Sequence, residues 1–388
     1  MLDVFGFHLP TRIEIGDGLI KSAGRLAREV GAGKRALLVT DPGIIRAGLA
    51  DIVRESLGKE GFECLLFDNV EPNPKDRDCE AGGKAAREFG AEIIVAVGGG
   101  SVLDSAKAIA ALQTHGGRVR DYQGRGKIVR EVTPLVAVPT TAGTGSEVTR
   151  SAVITDTERK FKMTVKDVKL APRLAVVDPE TTYALSPSIT ASTGMDALVH
   201  AIEAYTCRVA NHLSDAMALA AMGKIAPSLR TVVSEGNNKT ARRHMMVGSL
   251  MAGIAFSHSD VAAVHCMAEA LGGMYDTPHG VANSMFLPIV TAFNAPADPA
   301  KHARAAAACG FKVEGLSNEE ASSLLVQELE NLAKDIGIPL FSGLDYVNPE
   351  DFGRLAQSSY LNGSTPSNCR EITGEDYLRL FTESYEKR

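Results

Sequence analysis

The sequence lacks several features that would assign it to other classes of protein. Its six cysteines form no CxxC pair, which argues against a disulfide framework or a cysteine zinc site and favours a reducing cytoplasm. It has no run of basic residues and a formal net charge of −6, so we expect neither a nucleic acid nor an anionic membrane as partner. No stretch reaches the roughly 18 apolar residues of a membrane span. The opening segment carries Asp3 and no basic start before an apolar core, so we expect no signal peptide.

Short apolar runs alternate with helical patterns in the first half of this 388-residue chain, which is long enough for two domains. The predicted strands are Arg35–Thr40, Cys64–Phe67, Glu92–Val97, Leu135–Pro139 and Leu174–Val177. The predicted helices are Ile45–Lys59, Cys79–Phe89 and Val102–Leu112. This alternation predicts an α/β domain with a mainly parallel sheet covered on both faces, and Ser151–Lys166 is predicted as an antiparallel excursion.

The pattern changes after Asp178-Pro179, where amphipathic helical periodicity replaces the strand pattern. We therefore predict a domain boundary near residues 180–188, with an α/β domain over residues 1–184 and an all-helical domain over residues 185–388. The short opening strand pattern, Leu2–Phe7 and Arg12–Ile15, could pair between subunits. For that reason we expect a homodimer or a higher homo-oligomer.

Two glycine-containing turns follow predicted strands and are typical of phosphate binding. Gly98-Gly99-Gly100-Ser101 precedes a helix, whose first N–H groups suit a pyrophosphate, although the motif is not GxGxxG and a plain tight turn is an equal alternative. Thr140–Glu147 adds hydroxyls and glycines at a second strand end of the sheet, where ligands bind in open α/β folds. Asp41 could accept hydrogen bonds from an adenosine ribose and repel a 2′-phosphate, which favours NAD over NADP; it could equally start a turn before Pro42.

Four residues in the second half are candidate metal ligands in a chain with only nine histidines. Asp196 and His200 are four residues apart, so a helix presents both on one face, where Glu203 continues the polar stripe. Such a pair alone is more often a surface pair than a metal site. His265 on a predicted short helix and His279 on a predicted turn raise the expectation. Imidazoles with one carboxylate indicate a transition metal and not calcium.

Together these motifs resemble those of the iron-containing (group III) alcohol dehydrogenases over essentially the whole chain. The matching segments are Gly98–Ser101 with Asp104 and Lys107, Thr140–Glu147, Gly194–Tyr205, and His265 through His279-Gly280. The resemblance implies a dehydroquinate synthase-like fold, in which an N-terminal NAD-binding domain and a helical metal-binding domain enclose the active site in a cleft. It also implies that Asp196, His200, His265 and His279 bind the metal.

The resemblance carries expectations about cofactors. Structural zinc closes at four ligands and catalytic zinc keeps an open position beside three, so four protein ligands favour an ion of higher coordination number. We therefore expect Fe(II), with Zn(II) as the alternative. The residues expected to contact NAD are Asp41, Asn73, Gly98, Gly99, Gly100, Ser101, Asp104, Thr140, Thr141, Thr144, Ser146 and Lys162.

One position departs from the family pattern. The family usually carries a second histidine four residues after His265, where this chain has Glu269. Since Glu269 lies one turn further along the same predicted helix, we expect it near the nicotinamide or the substrate, where it would alter substrate preference or proton transfer. A solvated carboxylate is the alternative of about equal weight.

The predicted reaction is the reversible, NAD-dependent oxidation of a small primary alcohol or diol to its aldehyde or ketone by hydride transfer. The metal would act as a Lewis acid on the substrate oxygen, and the four ligands would serve catalysis through it. A hydroxyacid dehydrogenase or a hydroxyacid–oxoacid transhydrogenase remains an alternative. A dehydroquinate-synthase-like lyase is less favoured, because no cluster of basic residues for an anionic substrate lies near these motifs.

Overall fold

A computed structural model of the chain describes residues 4–31 and 33–387. Its strands are β1 (Arg12–Ile15), β2 (Arg35–Val39), β3 (Glu63–Phe67), β4 (Ile93–Gly98), β5 (Gly124–Arg125), β6 (Leu135–Pro139), β7 (Ser151–Asp156), β8 (Phe161–Lys166) and β9 (Leu174–Val177). Its helices are α1 (Ala23–Val30), α2 (Pro42–Arg46), α3 (Leu49–Lys59), α4 (Asp76–Phe89), α5 (Gly100–His115), α6 (Pro187–Thr206), α7 (His212–Ser234), α8 (Lys239–His258), α9 (Ala263–Tyr275), α10 (His279–Asn294), α11 (Pro299–Ala308), α12 (Asn318–Asp335), α13 (Phe352–Tyr360) and α14 (Gly374–Glu386). Short 3₁₀ helices lie between several of these elements.

The chain divides into two compact units, which are described separately. The α/β unit comprises Leu9–Thr141 and Gly145–Ala184. The helical unit comprises residues 4–8, 142–144 and 185–387 of the described chain. Within the described residues, no single helix has the length and apolar character needed to cross a membrane, and α8 with α9 meets that measure only as a pair bent by 99°.

A six-stranded parallel sheet in the order β1-β9-β6-β4-β2-β3 forms the centre of the α/β unit, which confirms the predicted fold class. Alternate residues of a strand face opposite sides of the sheet. Leu38 therefore joins an apolar cluster with residues of α1 and α3, whereas Leu37 and Val39 join another with residues of α4 and α5. Because both faces are covered, the central strands are continuous apolar runs.

The parallel arrangement brings the carboxyl ends of β2, β4 and β6 to one edge of the sheet. That edge carries Asp41 after β2, the glycine turn after β4, and Thr140 after β6. These strand ends are the ones that the sequence marked as ligand-binding turns.

Most predicted elements are present, with two differences. The predicted helix Ile45–Lys59 is interrupted, because Gly48 adopts a left-handed conformation (φ 74°) between α2 and α3. β7 and β8 form the predicted antiparallel pair. Arg12–Ile15 is β1 and pairs with β9 of the same chain, whereas no strand forms at residues 4–7, and the first residues of the Leu2–Phe7 prediction lie outside the described chain.

The described residues of the helical unit after position 185 contain α-helices and short 3₁₀ helices, as the periodicity predicted. α6 begins at Pro187, behind a Ser186 N-cap that accepts a hydrogen bond from the Ile189 N–H. It packs against α7, α8 and α10. A Cβ at Gly194 would lie 2.5 Å from a Leu229 methyl carbon and 2.8 Å from that of Met245, so a larger residue here would force those side chains to move.

Candidate metal centre

The 20-residue helix α6 carries the first two candidate ligands inside the helical unit. Asp196 and His200 lie one turn apart on one face and are 1% and 4% exposed. A solvated surface pair is therefore excluded, and a carboxylate so deeply buried requires partners.

Helices α9 and α10 bring the two further histidines to the same place. His265 is in the first turn of α9 and is buried. His279 is the first residue of α10, so its predicted position on a turn is wrong: Pro278 is the N-cap, and the helix continues through Gly280. A Cβ at Gly280 would lie 2.8 Å from the Ser192 carbonyl oxygen, so glycine allows the start of α10 to approach α6 closely.

One potential ligand atom from each of Asp196, His200, His265 and His279 lies within 4.8 Å of the others. The Nε2 atoms of His200 and His265 face each other at 3.0 Å. Asp196 Oδ2 lies 3.9 Å from His200 Nδ1, and Asp196 Oδ1 lies 3.9 Å from His279 Nε2. With both Nδ1 atoms protonated, the two Nε2 lone pairs would face each other at this distance and repel. A shared cation would relieve that repulsion, so this donor set fits a divalent transition metal.

Two side chains that are not among the four candidates hold them in place. Glu203 Oε2 accepts a hydrogen bond from His265 Nδ1 at 2.6 Å. Asn283 donates from Nδ2 to Asp196 Oδ1 at 2.6 Å, and the same Nδ2 lies 3.1 Å from His279 Nε2. Sequence reasoning noticed Glu203 only as part of a polar stripe, and it missed Asn283. The signal for Asn283 was its position four residues after His279, which counts only when His279 is placed on a helix.

The electrostatics of the cluster suit cation binding. Burial lowers the pKa of His200 to about 4, against the opposing charge of Asp196. Burial alone would raise the pKa of Asp196, but the charges of the three histidines and the Asn283 hydrogen bond hold it below its ordinary value. Burial alone would lower the pKa of His265, but the hydrogen bond and charge of Glu203 raise it above its usual value. Asp196 is thus ionised and His200 neutral near pH 7, the forms that bind metals.

Phe256 and Glu269 border the candidate ligands. The Phe256 ring stacks on His200 with centroids 4.3 Å apart and planes 16° apart, so it shields the imidazole on one side. Glu269 is half-buried one turn beyond His265 on α9, and its Oε2 accepts a hydrogen bond from Asn362 Nδ2 at 2.6 Å. A negative charge from Glu269 acts on His265, and it is one of the causes of the raised pKa.

The predicted nucleotide turn of the α/β unit has the form expected of a phosphate site. Gly99 is the N-cap of the 16-residue helix α5, and it provides no side-chain cap for that helix. A Cβ at Gly98 would lie 2.5 Å from Val102, so a side chain there would clash, and one at Gly99 would lie 3.2 Å from Thr141, a tight contact. Gly100 and Ser101 form the first turn of α5, whose N–H groups suit an anion.

Two other predicted cofactor residues, Asp41 and Thr140, follow strands at this edge, and a third, Asn73, lies between β3 and α4. Asp41 is the N-cap of α2, and its Oδ1 accepts hydrogen bonds from the N–H groups of Gly43 and Ile44 at 2.7 and 3.0 Å. Asp41 can therefore both cap α2 and accept hydrogen bonds from a ribose, because the capping bonds use only one of its two oxygens. Thr140 Oγ1 is buried and makes no hydrogen bond to the described chain. Asn73 has a left-handed backbone (φ 51°), and its Oδ1 accepts a hydrogen bond from Lys162 Nζ at 3.0 Å.

The structure directs two predicted cofactor residues toward the protein interior. Asp104 Oδ1 accepts a hydrogen bond from Ser146 Oγ at 2.6 Å, and its Oδ2 accepts one from the Val153 N–H at 2.9 Å. Fully buried Lys107 donates to Ser146 Oγ at 2.7 Å, as well as to Thr149 Oγ1 and the Ser151 carbonyl. Asp104 and Ser146 thus have a structural role, while a contact with the cofactor stays a prediction. Thr144 belongs by its contacts to the helical unit.

Two family sequence models match the chain and together cover most of it. "Iron-containing alcohol dehydrogenase" matches residues 10–179, and "Fe-containing alcohol dehydrogenase family, C-terminal" matches residues 190–385. The 1,3-propanediol dehydrogenase of Citrobacter freundii is 39% identical over 384 residues, which span 98% of this chain and 99% of the relative. The NAD-dependent methanol dehydrogenase of Bacillus methanolicus is 38% identical over 375 residues, which span 97% and 98%.

A solved structure shows the same similarity in three dimensions. The alcohol dehydrogenase from Oenococcus oeni is 35% identical to this chain with a TM-score of 0.94, over 98% of this chain and all of that one. The chain therefore belongs to the iron-containing alcohol dehydrogenase family and is an oxidoreductase that interconverts small alcohols and their carbonyl products.

Proposed function

We propose that this alcohol dehydrogenase uses NAD and one divalent metal ion, most favourably Fe(II), to oxidise a small primary alcohol or diol reversibly. The observation that carries the proposal is the convergence of ligand atoms from Asp196, His200, His265 and His279 within 4.8 Å of one another. A bound divalent ion supplies Lewis-acid chemistry to a substrate oxygen. Four protein ligands favour Fe(II) over Zn(II), because catalytic zinc usually has three protein ligands and one open position.

The residues around the ligands each have a proposed task. Phe256, stacked on His200, excludes water from one side of the imidazole, which strengthens electrostatic interactions there. Glu269, held by Asn362, is proposed to accept a proton from the substrate hydroxyl or to select the substrate. Its position on the α9 face of His265 supports this proposal.

NAD is proposed to bind at the strand ends of the α/β unit, within residues 1–184, while residues 185–388 form the metal-binding domain. NAD supplies the hydride acceptor. The turn Gly98–Ser101 would bind the pyrophosphate at the N-terminus of α5, and Asp41 Oδ2 would accept hydrogen bonds from the ribose hydroxyls. The remaining contacts are proposed for Asn73, Asp104, Thr140, Thr141, Thr144, Ser146 and Lys162. The name of the methanol dehydrogenase relative supports NAD as the acceptor.

The decisive experiment removes the metal and restores single ions. Protein stripped with a chelator should form no NADH from methanol, 1,3-propanediol or 1,2-propanediol, and Fe(II), Zn(II), Mn(II) or Co(II) added separately should restore activity to different degrees. His265→Gln should bind metal more weakly and lose activity in parallel. His302→Gln is the matched control, since His302 is also a buried histidine of the helical unit but binds the Asp298 carbonyl oxygen. Activity unchanged after complete metal removal would refute the proposal.

The preference for NAD is tested at Asp41. Asp41→Gly should lower the discrimination against NADP by 10-fold or more, because it removes the charge that repels a 2′-phosphate. Asp51→Gly, at an exposed position of α3, is the control and should leave the NAD to NADP ratio unchanged. An unchanged ratio in Asp41→Gly would exclude Asp41 from ribose recognition.

Two further properties are part of the proposal. A cytoplasmic location is supported by the six cysteines, which are all unpaired. A homodimer or higher homo-oligomer is supported by the edge strand β1, which has only β9 as its neighbour within the described chain. Light scattering on the eluted protein measures the oligomer size, and a monomer at all concentrations would contradict the proposal.

A further inference from the structure

Glu203 combines contacts to a metal-ligand candidate and to a helix terminus. It lies on α6 one turn after His200 and is 3% exposed. Oε2 accepts hydrogen bonds from His265 Nδ1 at 2.6 Å and from the Ala262 N–H at 2.9 Å. Oε1 accepts from the Val264 N–H at 2.7 Å. One buried carboxylate therefore makes three bonds, all to the start of α9.

Helix α9 has no cap of its own. Its N-cap residue is Ala262, which has no side-chain acceptor for the first N–H groups of the helix. An alanine is among the poorest N-cap residues. Glu203 thus supplies from α6 the acceptor that the local sequence of α9 lacks, and its negative charge opposes the positive end of the helix dipole.

The same carboxylate fixes which nitrogen of His265 can bind metal. Because the Nδ1–H group donates a hydrogen bond to Glu203, the neutral ring has its lone pair on Nε2. Nε2 is the atom that faces His200 Nε2 at 3.0 Å, within the candidate metal cluster. Carboxylate partners of this kind orient a histidine ligand and increase its basicity.

We propose that Glu203 is a positioning residue, which binds no metal itself but sets the tautomer and orientation of His265 and anchors the first turn of α9 with the same carboxylate. This inference rests on the metal site of the proposed function. It predicts that metal affinity depends on a side chain outside the ligand set. It also predicts that this dependence requires His265.

The first test is Glu203→Gln, which keeps the size of the side chain. An amide presents one oxygen and one NH₂ group, which is only a donor, to three N–H groups, so at least one contact becomes donor to donor. If the amide donates to His265 Nδ1, the ring proton moves to Nε2 and blocks the ligand position. We expect Zn(II) and Co(II) to bind 10- to 100-fold more weakly in competition with a chromophoric chelator. Asp298→Asn is the matched control, a cap carboxylate of α11, and its metal affinity should be unchanged.

A double-mutant cycle separates positioning from a general loss of structure. Glu203→Gln should weaken Zn(II) binding by less than about 3-fold when His265 is already alanine, because the residue through which Glu203 acts is gone. An equal loss in both backgrounds would overturn the proposal, since Glu203 would then act on the fold and not through His265. Circular dichroism of each metal-free variant establishes that the compared proteins are folded.

A tautomer measurement tests Glu203 without relying on metal binding. Side-chain ¹⁵N chemical shifts of His265 in metal-free protein at mildly alkaline pH should report a protonated Nδ1 in the parent protein and a changed tautomer in Glu203→Gln. A protonated Nε2 in the parent protein would refute the proposal for Glu203. Failure of the parent protein to bind any metal, with Nδ1 still protonated, would instead refute the metal assignment and leave the positioning of His265 by Glu203 supported.

Discussion

Substitution of Asp104 can distinguish a structural role of this residue from a role in cofactor binding. Its two oxygens accept hydrogen bonds from Ser146 Oγ at 2.6 Å and the Val153 N–H at 2.9 Å, and Lys107 Nζ lies 3.5 Å away. The Lys107 side chain is fully buried and that of Asp104 is 16% exposed. Asp104→Asn therefore removes the carboxylate that pairs with the buried Lys107 ammonium, which keeps only the weaker influence of Glu147, and it turns one acceptor into a donor that faces another donor.

The expected loss of stability in Asp104→Asn follows from these contacts. Breaking a buried ion pair by removing one charge costs about 3–5 kcal/mol, since the remaining charge stays desolvated. In a protein unit of this size each kcal/mol lowers the melting temperature by about 2–4 °C. We therefore expect Asp104→Asn to melt roughly 6–20 °C below the parent protein. The exposed pair Asp51–Arg54 provides the control, because Asp51→Asn should cost less than about 1 kcal/mol.

The assay combines thermal melts of the metal-free protein with calorimetric titration of NADH into folded protein at low temperature. If Asp104 has a structural role, Asp104→Asn should lower the melting temperature and leave the NADH dissociation constant within about 3-fold of the parent value. The reasoning would be wrong if Asp104→Asn melted within 2 °C of the parent protein while NADH bound 10-fold more weakly. That result would indicate that Asp104 contacts the cofactor.

Three further predictions concern other positions. Burial raises the pKa of Glu147 to about 7, above its unfolded value of 4.5. Its contribution to stability is therefore complete below pH 4.5 and is lost as the pH rises through 7, which lowers the free energy of unfolding by roughly 3 kcal/mol. Urea unfolding should show this loss in the parent protein but not in Glu147→Gln. Gly24→Ala places a Cβ 2.1 Å from the Ser56 carbonyl oxygen, so its unfolding free energy should fall by about 1–3 kcal/mol, and an unchanged value would contradict the contact. Glu269→His and Glu269→Gln should change the alcohol profile and the pH–rate curve, and identical curves would exclude Glu269 from proton transfer and substrate selection.

The fold was predictable because its signals are local and repeated. Buried parallel strands are continuous apolar runs, and β6 and β9 begin and end where the pattern placed them, at Leu135–Pro139 and Leu174–Val177. The break between α2 and α3 was missed, since a single glycine within a helical pattern does not reveal whether its backbone is left-handed. His279 was misplaced for a related reason: proline and glycine on either side usually indicate a turn, but here they form the first turn of α10.

The candidate ligands were identifiable because two of them repeat at helical spacing and the family motif supplied the others. The groups that hold the ligands carry no such signal. Asp104 lies 42 residues from Ser146 and 49 from Val153, so its interior contacts depend on how α5 packs and not on any local pattern. A glycine-rich turn followed by an acidic residue therefore does not reveal whether the carboxylate faces the cofactor or the protein interior.

The role of Glu203 could not be predicted from the sequence. Its spacing from Asp196 and His200 predicts that all three share one face of α6, and the structure has them there. Nothing in that spacing distinguishes a carboxylate that belongs to the candidate ligand set from one that orients a histidine. The distinction comes from α9, about 60 residues later, whose first N–H groups and His265 Nδ1 all point at Glu203. Those three donors engage both oxygens of Glu203, whereas the bond from Asn283 engages only Oδ1 of Asp196, so Asp196 is the more favourable candidate ligand of the two.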